Sequence, residues 1–354
     1  MGIEVYSKRY KKWKKILLAL ILLCLGFFIV SLNIGFMQIP LNHIVEILIS
    51  EIPFLKKFIP IKSFSELEKT IILGIRLPRV LASFLVGLSL ASSGVVFQGI
   101  FRNPMADPFI IGVSSGAALG AALAIVLKVG IGILSYYTIP AMAFLGSLLA
   151  LFITYNISKV GSIIPITTLL LSGIAVSIFF SSIVAMLEVI AGAELHPLVF
   201  WLMGGFSYVE WKDVLLAFPL IFLSEIVIYA FARDLNLMLL GEEEAKNLGV
   251  SVEKTKKILI IFSSLVTATS VSLSGIIGFV GLIVPHITRI LIGPDHRILI
   301  PASMLVGGIF LMVCDSLARI AMLPSELPVG IITALSGGPF FIYLLRKKKG
   351  SYVM

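Results

Sequence analysis

The sequence predicts an all-α, polytopic membrane protein of about ten transmembrane helices in one bundle, and three observations carry that expectation. Hydrophobic residues make up 58% of the 354-residue chain and charged residues only 13%, against about 45–50% and about 25% in soluble domains. A soluble surface needs polar cover whatever the size of its core, so the charge deficit implies contact with lipid. Apolar runs of roughly twenty residues, the length that crosses the hydrocarbon, recur along the chain. The formal net charge of +9 sits at the chain ends and in short joints between those runs. That is the distribution of a cytoplasmic membrane face rather than of a nucleic-acid surface.

The spans follow in order. Residues 1–15 form a basic N-terminus with Lys8, Arg9, Lys11, Lys12, Lys14 and Lys15, and a first span follows at about 16–36. Basic residues before an apolar run imitate a signal peptide, but this run is long enough to span. No small-x-small cleavage pattern follows it, so it reads as an uncleaved first helix. An extended outer loop is expected at 37–77. Further spans are expected at about 78–98, 109–127, 138–158, 167–190, 213–232, 257–276, 298–318 and 328–345. A tenth, around Ser274–Ile292, holds Pro285, His286 and Arg289, and the proline should kink it. Residues 346–354 form a second basic tail with Arg346, Lys347, Lys348 and Lys349. Lys/Arg-rich flanks prefer the cytoplasm, so both termini inside requires an even number of crossings. Ten satisfies this and nine does not.

Each polar feature has a bland reading and a functional one. Glycine, alanine and serine crowd Gly87–Gly94 and Gly112–Gly120; small residues let helix backbones approach closely in lipid, and some could instead line a pathway. Between the sixth and seventh spans, in the segment 233–257, lies Gly241-Glu242-Glu243-Glu244-Ala245-Lys246-Asn247-Leu248-Gly249. It is too short and charged to span; it is either a solvated connector or a short helix offered to a partner. The ionisable groups in or near spans are Glu188, His286, Asp315 and Asp107. Asp315 and Arg319 stand at i, i+4 spacing, which explains both as a local ion pair. No set of facing midplane acids is evident, so a proton relay is not expected, and Glu188 is not expected to carry protons. His286, Asp295 and His296 have no ligand spacing, Cys24 and Cys314 read as buried small hydrophobes, and no metal site is expected. No G-x-x-x-x-G-K-[ST], G-x-S-x-G or H-E-x-x-H pattern occurs, so any ATP and Mg belong to another subunit and no catalytic residue or cofactor is expected here.

Several stretches together resemble the permeases of the iron-siderophore and vitamin B12 class of ABC importers. They are Arg76-Leu77-Pro78-Arg79, Gly94, Gln98, Arg102-Asn103-Pro104-Met105-Ala106-Asp107-Pro108, Gly112 to Ala117 and Trp201 to Phe206. Gly241 to Gly249, Gly278 to His286, Asp295-His296-Arg297 and Glu326 to Gly330 complete the set. Order and spacing hold from about residue 70 to the C-terminus.

The resemblance implies a homodimer of ten-helix subunits in the cell membrane, served by two ATPase subunits and an extracytoplasmic substrate-binding protein. It implies a coupling helix at Gly241, Glu242, Ala245, Leu248 and Gly249, and exposed docking arginines at Arg76, Arg79 and Arg319. It also implies a cytoplasmic gate at Asn103 and Met105 with Ile166 and Thr167, where Ile166 replaces a residue that is polar in some relatives. The expected cargo is a metal chelate: an iron-siderophore, haem or cobalamin. The alternatives are an oxyanion such as molybdate, carried on the same scaffold, or a secondary transporter that works without an ATPase.

Overall fold

A computed structural model describes residues 2–52, 64–129, 135–161 and 163–349, and among them the fold is helical with no strand beyond isolated bridges. Seven helices are long and apolar enough to cross a membrane, and four shorter apolar ones accompany them.

The first helix, α1 (Gly2–Asn33), runs through the basic segment. Arg9 lies over the Trp13 ring, 5.0 Å from its centroid, and pairs with Asp295 at 3.5 Å. Only 11% of the apolar window of α1 is buried, so its flank is left for lipid.

The described part of the expected outer loop at 37–77 is mostly helical. It holds α2 (Leu41–Ser50), which buries Ile44 and Ile47, and α3 (Glu66–Thr70). Ser65 starts α3 with a capping box: its hydroxyl accepts the Glu68 N–H, and the Glu68 carboxylate accepts the Ser65 N–H. Lys56, Lys57 and Lys62 lie outside the described residues. The helix then runs unbroken from Glu66 to Ile100, so the span expected to begin at 78 begins earlier. Pro78, whose ring excludes the carbonyl a turn before it, lies inside this helix. A π-helical turn, Ile71–Arg76, widens the spiral there, with the Leu77 N–H reaching Ile72 O, and the helix passes the proline as α4 (Leu77–Ile100).

The apolar window of α4 is 83% buried, which makes it the axis of the bundle. The span expected at 109–127 is split. A 3₁₀ turn, Pro108–Ile111, ends at Gly112, whose φ of 88° only glycine adopts freely, and α5 (Val113–Val126) follows. Next come α6 (Ser135–Ser158) and α7 (Ile166–Ile190). The loop expected at 191–212 contains α8 (Leu195–Met203), and α9 (Trp211–Ala230) leads into α10 (Ala232–Met238) and α11 (Glu242–Asn247). The chain finishes with α12 (Val252–Ser274), α13 (Val280–Ile292), α14 (His296–Ile320) and α15 (Val329–Lys349). The tenth expected span starts later than read, because Gly275 to Phe279 is irregular and Phe279 has φ 70°.

Small residues perform the packing role. A Cβ on Gly87 would overlap the Gly307 carbonyl and one on Gly307 would overlap Gly87, so α4 and α14 touch backbone to backbone. Gly116 and Gly146 stand in the same reciprocal relation between α5 and α6. Three distant stretches meet at one junction: a Cβ on Gly275 would strike Trp201 O, and one on Gly330 would strike Met203 O. Gly205 N–H donates to Ser274 O at 2.7 Å across the same junction.

Candidate coupling and gate sites

Contacts distinguish the two ends of the bundle. At one, the basic end, Asn236 of α10 donates to Asp295 at 2.8 Å, and Asp295 also holds Arg9 and Arg297. Burial pushes the Asp295 carboxyl up, but hydrogen bonds from Arg297 and Asn236 outweigh it and hold the group down at about 2. As the N-cap of α14, Asp295 also accepts the Arg297 N–H at 3.1 Å. Asp295→Ala should therefore cost about 1 kcal/mol through the lost cap, read as a lower melting temperature of the purified chain. Because the folded carboxyl titrates below its ordinary value, its contribution is present above about pH 4 and fades toward pH 2. The gap between variant and parent should narrow over that window.

The coupling segment leaves the same end. Gly241 has φ 146° and Gly249 φ 88°, so glycines make both bends. Ala245 is fully buried among Met238, Val250 and Val252 and anchors the short helix. Glu243, Glu244, Lys246, Asn247 and Leu248 are exposed, and Leu248 offers an apolar spot at 56% exposure. Glu242 turns inward, to the ammonium of Lys256 at 2.7 Å. The result is a rigid charged elbow standing off the bundle.

The gate residues fall near this end as two separate pieces. Asn103 follows α4; its side-chain oxygen accepts the Met105 N–H at 2.9 Å, which fixes the turn. Asp107 then caps the 3₁₀ turn, accepting the Phe109 N–H at 2.8 Å, while withdrawal from water pushes its carboxyl up to about 6. Ile166 opens α7 and packs on the central core, and Thr167 beside it is exposed. Among the described residues no hydrogen bond joins Asn103 or Met105 to Ile166 or Thr167. The 3₁₀ turn after Asp107 packs against α7: a Cβ on Gly173 would overlap the Ile110 carbonyl.

At the opposite end the three expected docking arginines come together, but not as an exposed surface. Arg76, Arg79 and Arg319 are 5%, 6% and 4% exposed. Arg76 donates to the carbonyls of Leu32 at 2.8 Å, Asn33 at 3.1 Å and Met37, and Arg319 to those of Ile34 at 2.6 Å and Ser31 at 3.0 Å. Those of Ser31, Leu32 and Asn33 are carbonyls that the end of α1 leaves unpaired, and a cation suits the negative end of a helix. Arg79 instead grips Asp315 through two nitrogens, at 2.9 and 3.0 Å, and Glu326 at 2.8 Å. Arg319 pairs with Asp315 at 3.2 Å, as their spacing predicts. Burial alone would raise the Glu326 carboxyl, but Arg79 holds it below the usual carboxylate range.

One polar group escaped the sequence reading. Glu225, within α9, is 6% exposed, and Ser92 of α4 hydrogen-bonds to it. Its only sequence signal was an acid inside an apolar run. Glu188 is half-buried near the end of α7. No group of three or more metal-ligating side chains occurs among the described residues.

A bundle of long apolar helices that leaves apolar flanks for lipid defines an integral membrane protein. The chain belongs to the FecCD transport family, whose profile matches residues 20–347, and is a permease of the iron-siderophore and vitamin B12 class of ABC importers. It is 50% identical to the cobalamin import system permease protein BtuC of Halobacterium salinarum, over 80% of this chain and 75% of that one. It is 42% identical to the hemin transport system permease protein HmuU of Yersinia pestis, over 78% and 83%. It is 37% identical to the molybdate import system permease protein MolB of Haemophilus influenzae, over 95% and 97%. A solved structure titled as an inward-facing conformation of a metal-chelate type ABC transporter superposes with a TM-score of 0.81 at 35% identity. That match covers 94% of this chain and 99% of the other.

Proposed function

We infer that the chain is the translocating subunit of an ATP-driven importer of metal chelates and catalyses no reaction itself. Two copies cross the membrane ten times each, with both termini in the cytoplasm. Two ATPase subunits, which bind ATP and Mg, dock on the basic end, and an external binding protein delivers cargo to the opposite end. Asn103 and Met105, with Ile166 and Thr167 at the head of α7, form the gate on the ATPase side.

The observation that carries this reading is the elbow Gly241–Gly249. It is anchored by Ala245, it exposes Glu243, Glu244 and Leu248, and it shares an end with the basic first helix. A short helix held rigidly at both bends transmits movement of a partner to the spans as a lever. A corrinoid is the first cargo to test, given the 50% identity to a cobalamin permease; haem and ferric siderophores come next. The near full-length match to a molybdate permease makes that oxyanion the second reading.

The test is uptake into liposomes holding the permease, its ATPase and its binding protein, offered each cargo in turn. Uptake should require ATP and both partners, and cysteines placed at Glu243 and Leu248 should crosslink to the ATPase. Uptake that persists without the ATPase identifies a secondary transporter and rejects the reading.

A further inference from the structure

Three lysines lie close together at the start of α12, yet only one turns inward. Lys254 and Lys257 are exposed, whereas the Lys256 side chain is 3% exposed. Burying an ammonium is costly unless carboxylates receive it, and two do, from different directions. Glu242, the first residue of the elbow helix, meets Lys256 Nζ at 2.7 Å, and Glu253, one turn back on α12, meets it at 3.2 Å. The second oxygen of Glu253 accepts the backbone N–H of Ile164 at 3.0 Å. Ile164 is 4% exposed and lies two residues before Ile166, where α7 begins. Thr168, in the first turn of α7, donates to Ser158 O at the end of α6 at 3.0 Å, so this entry is fixed on its other side as well.

We propose that Lys256 and Glu253 form a strut that carries displacement of the elbow to the head of α7. Glu242 is the contact on the moving side, Lys256 the rigid post on α12, and Glu253 the hand that holds the chain leading into Ile166 and Thr167. A push on the elbow then reaches the gate through charge-assisted hydrogen bonds rather than only through the covalent path, which runs the length of α12 and away from the gate. Lys256 and Glu253 act as positioning residues: neither needs to touch cargo or nucleotide. The proposal rests on the elbow being the ATPase contact, so its test separates the two ideas.

The experiment uses the complete importer in liposomes and reads cargo imported per ATP hydrolysed. Co-purification with the ATPase is recorded for each variant. Lys256→Met keeps the stem and removes the charge; import per ATP should fall about tenfold, within the range that mutations along coupled networks produce. Lys256→Arg should restore most of it. Glu253→Gln retains an oxygen for Ile164 N–H and should lose less than Glu253→Ala. Where Lys256→Met does not assemble, Glu242→Gln, which breaks only the outer link, decides the matter. An unchanged ratio in either assembled variant overturns the strut. Failure of the elbow cysteines to crosslink to the ATPase overturns the coupling reading instead.

Discussion

Asp315→Ala should lower the stability of the folded permease by about 3–5 kcal/mol, the range for removing one partner from a buried ion pair. Asp315 is fully buried, with Arg79 gripping it and Arg319 beside it at 3.2 Å. Removing the carboxylate leaves two guanidinium groups facing each other with little water to dilute them. Arg79 would keep only Glu326, which is partly exposed and so a weaker partner. The readout is the melting temperature and folded yield of purified chain. Glu326→Ala serves as the comparison and should cost far less, because solvent screens a half-exposed pair. A melting temperature for Asp315→Ala equal to the parent's would refute this account of the cluster.

Gly94→Val should be nearly as damaging, by a different route. A Cβ at Gly94 would occupy the position of the Gly281 carbonyl oxygen, where α4 passes α13. The obstruction is backbone, so no rotamer change relieves it, and the helices must separate. Overpacking a core costs about 1–3 kcal/mol even where side chains can adjust. Here the loss should reach or exceed the top of that range, and it extends to a second contact. Gln98, one turn further along α4, donates to Leu282 O at 3.1 Å and accepts from Arg289 at 2.8 Å. The control is Gly26→Val on α1, which meets nothing within 4 Å and should leave the melting temperature unchanged. If the two variants melt alike, close helix approach is not what these glycines provide.

What could be read from the sequence was what depends on near neighbours. Apolar runs located the helices because length and polarity are local properties, and the Asp315–Arg319 pair followed from helical spacing. Glycines flanking the acids of Gly241–Gly249 marked the elbow for the same reason. Contacts between distant residues stayed hidden. Arg76 and Arg319 were expected to face a partner protein, since an arginine near a span end carries no mark of what it will meet. The backbone carbonyls they hold lie 39 to 44 and 285 to 288 residues away. Lys256 could not be told from Lys254 and Lys257, because all three lie within the first two turns of α12 and only packing decides which turns inward. That the helix through Pro78 starts before that residue was hidden too, since a π turn is not visible in residue types.

The tip of α1 has a bearing on how the chain is made. This helix is made well before α14, yet Arg319, which closes its final carbonyls, is translated 285 residues after Ile34. Until then the end of α1 is only half fastened, held by Arg76 alone. A nascent chain stopped before α14 therefore lacks the guanidinium that closes α1, and residues His296–Ile320 complete a helix that ends at Asn33.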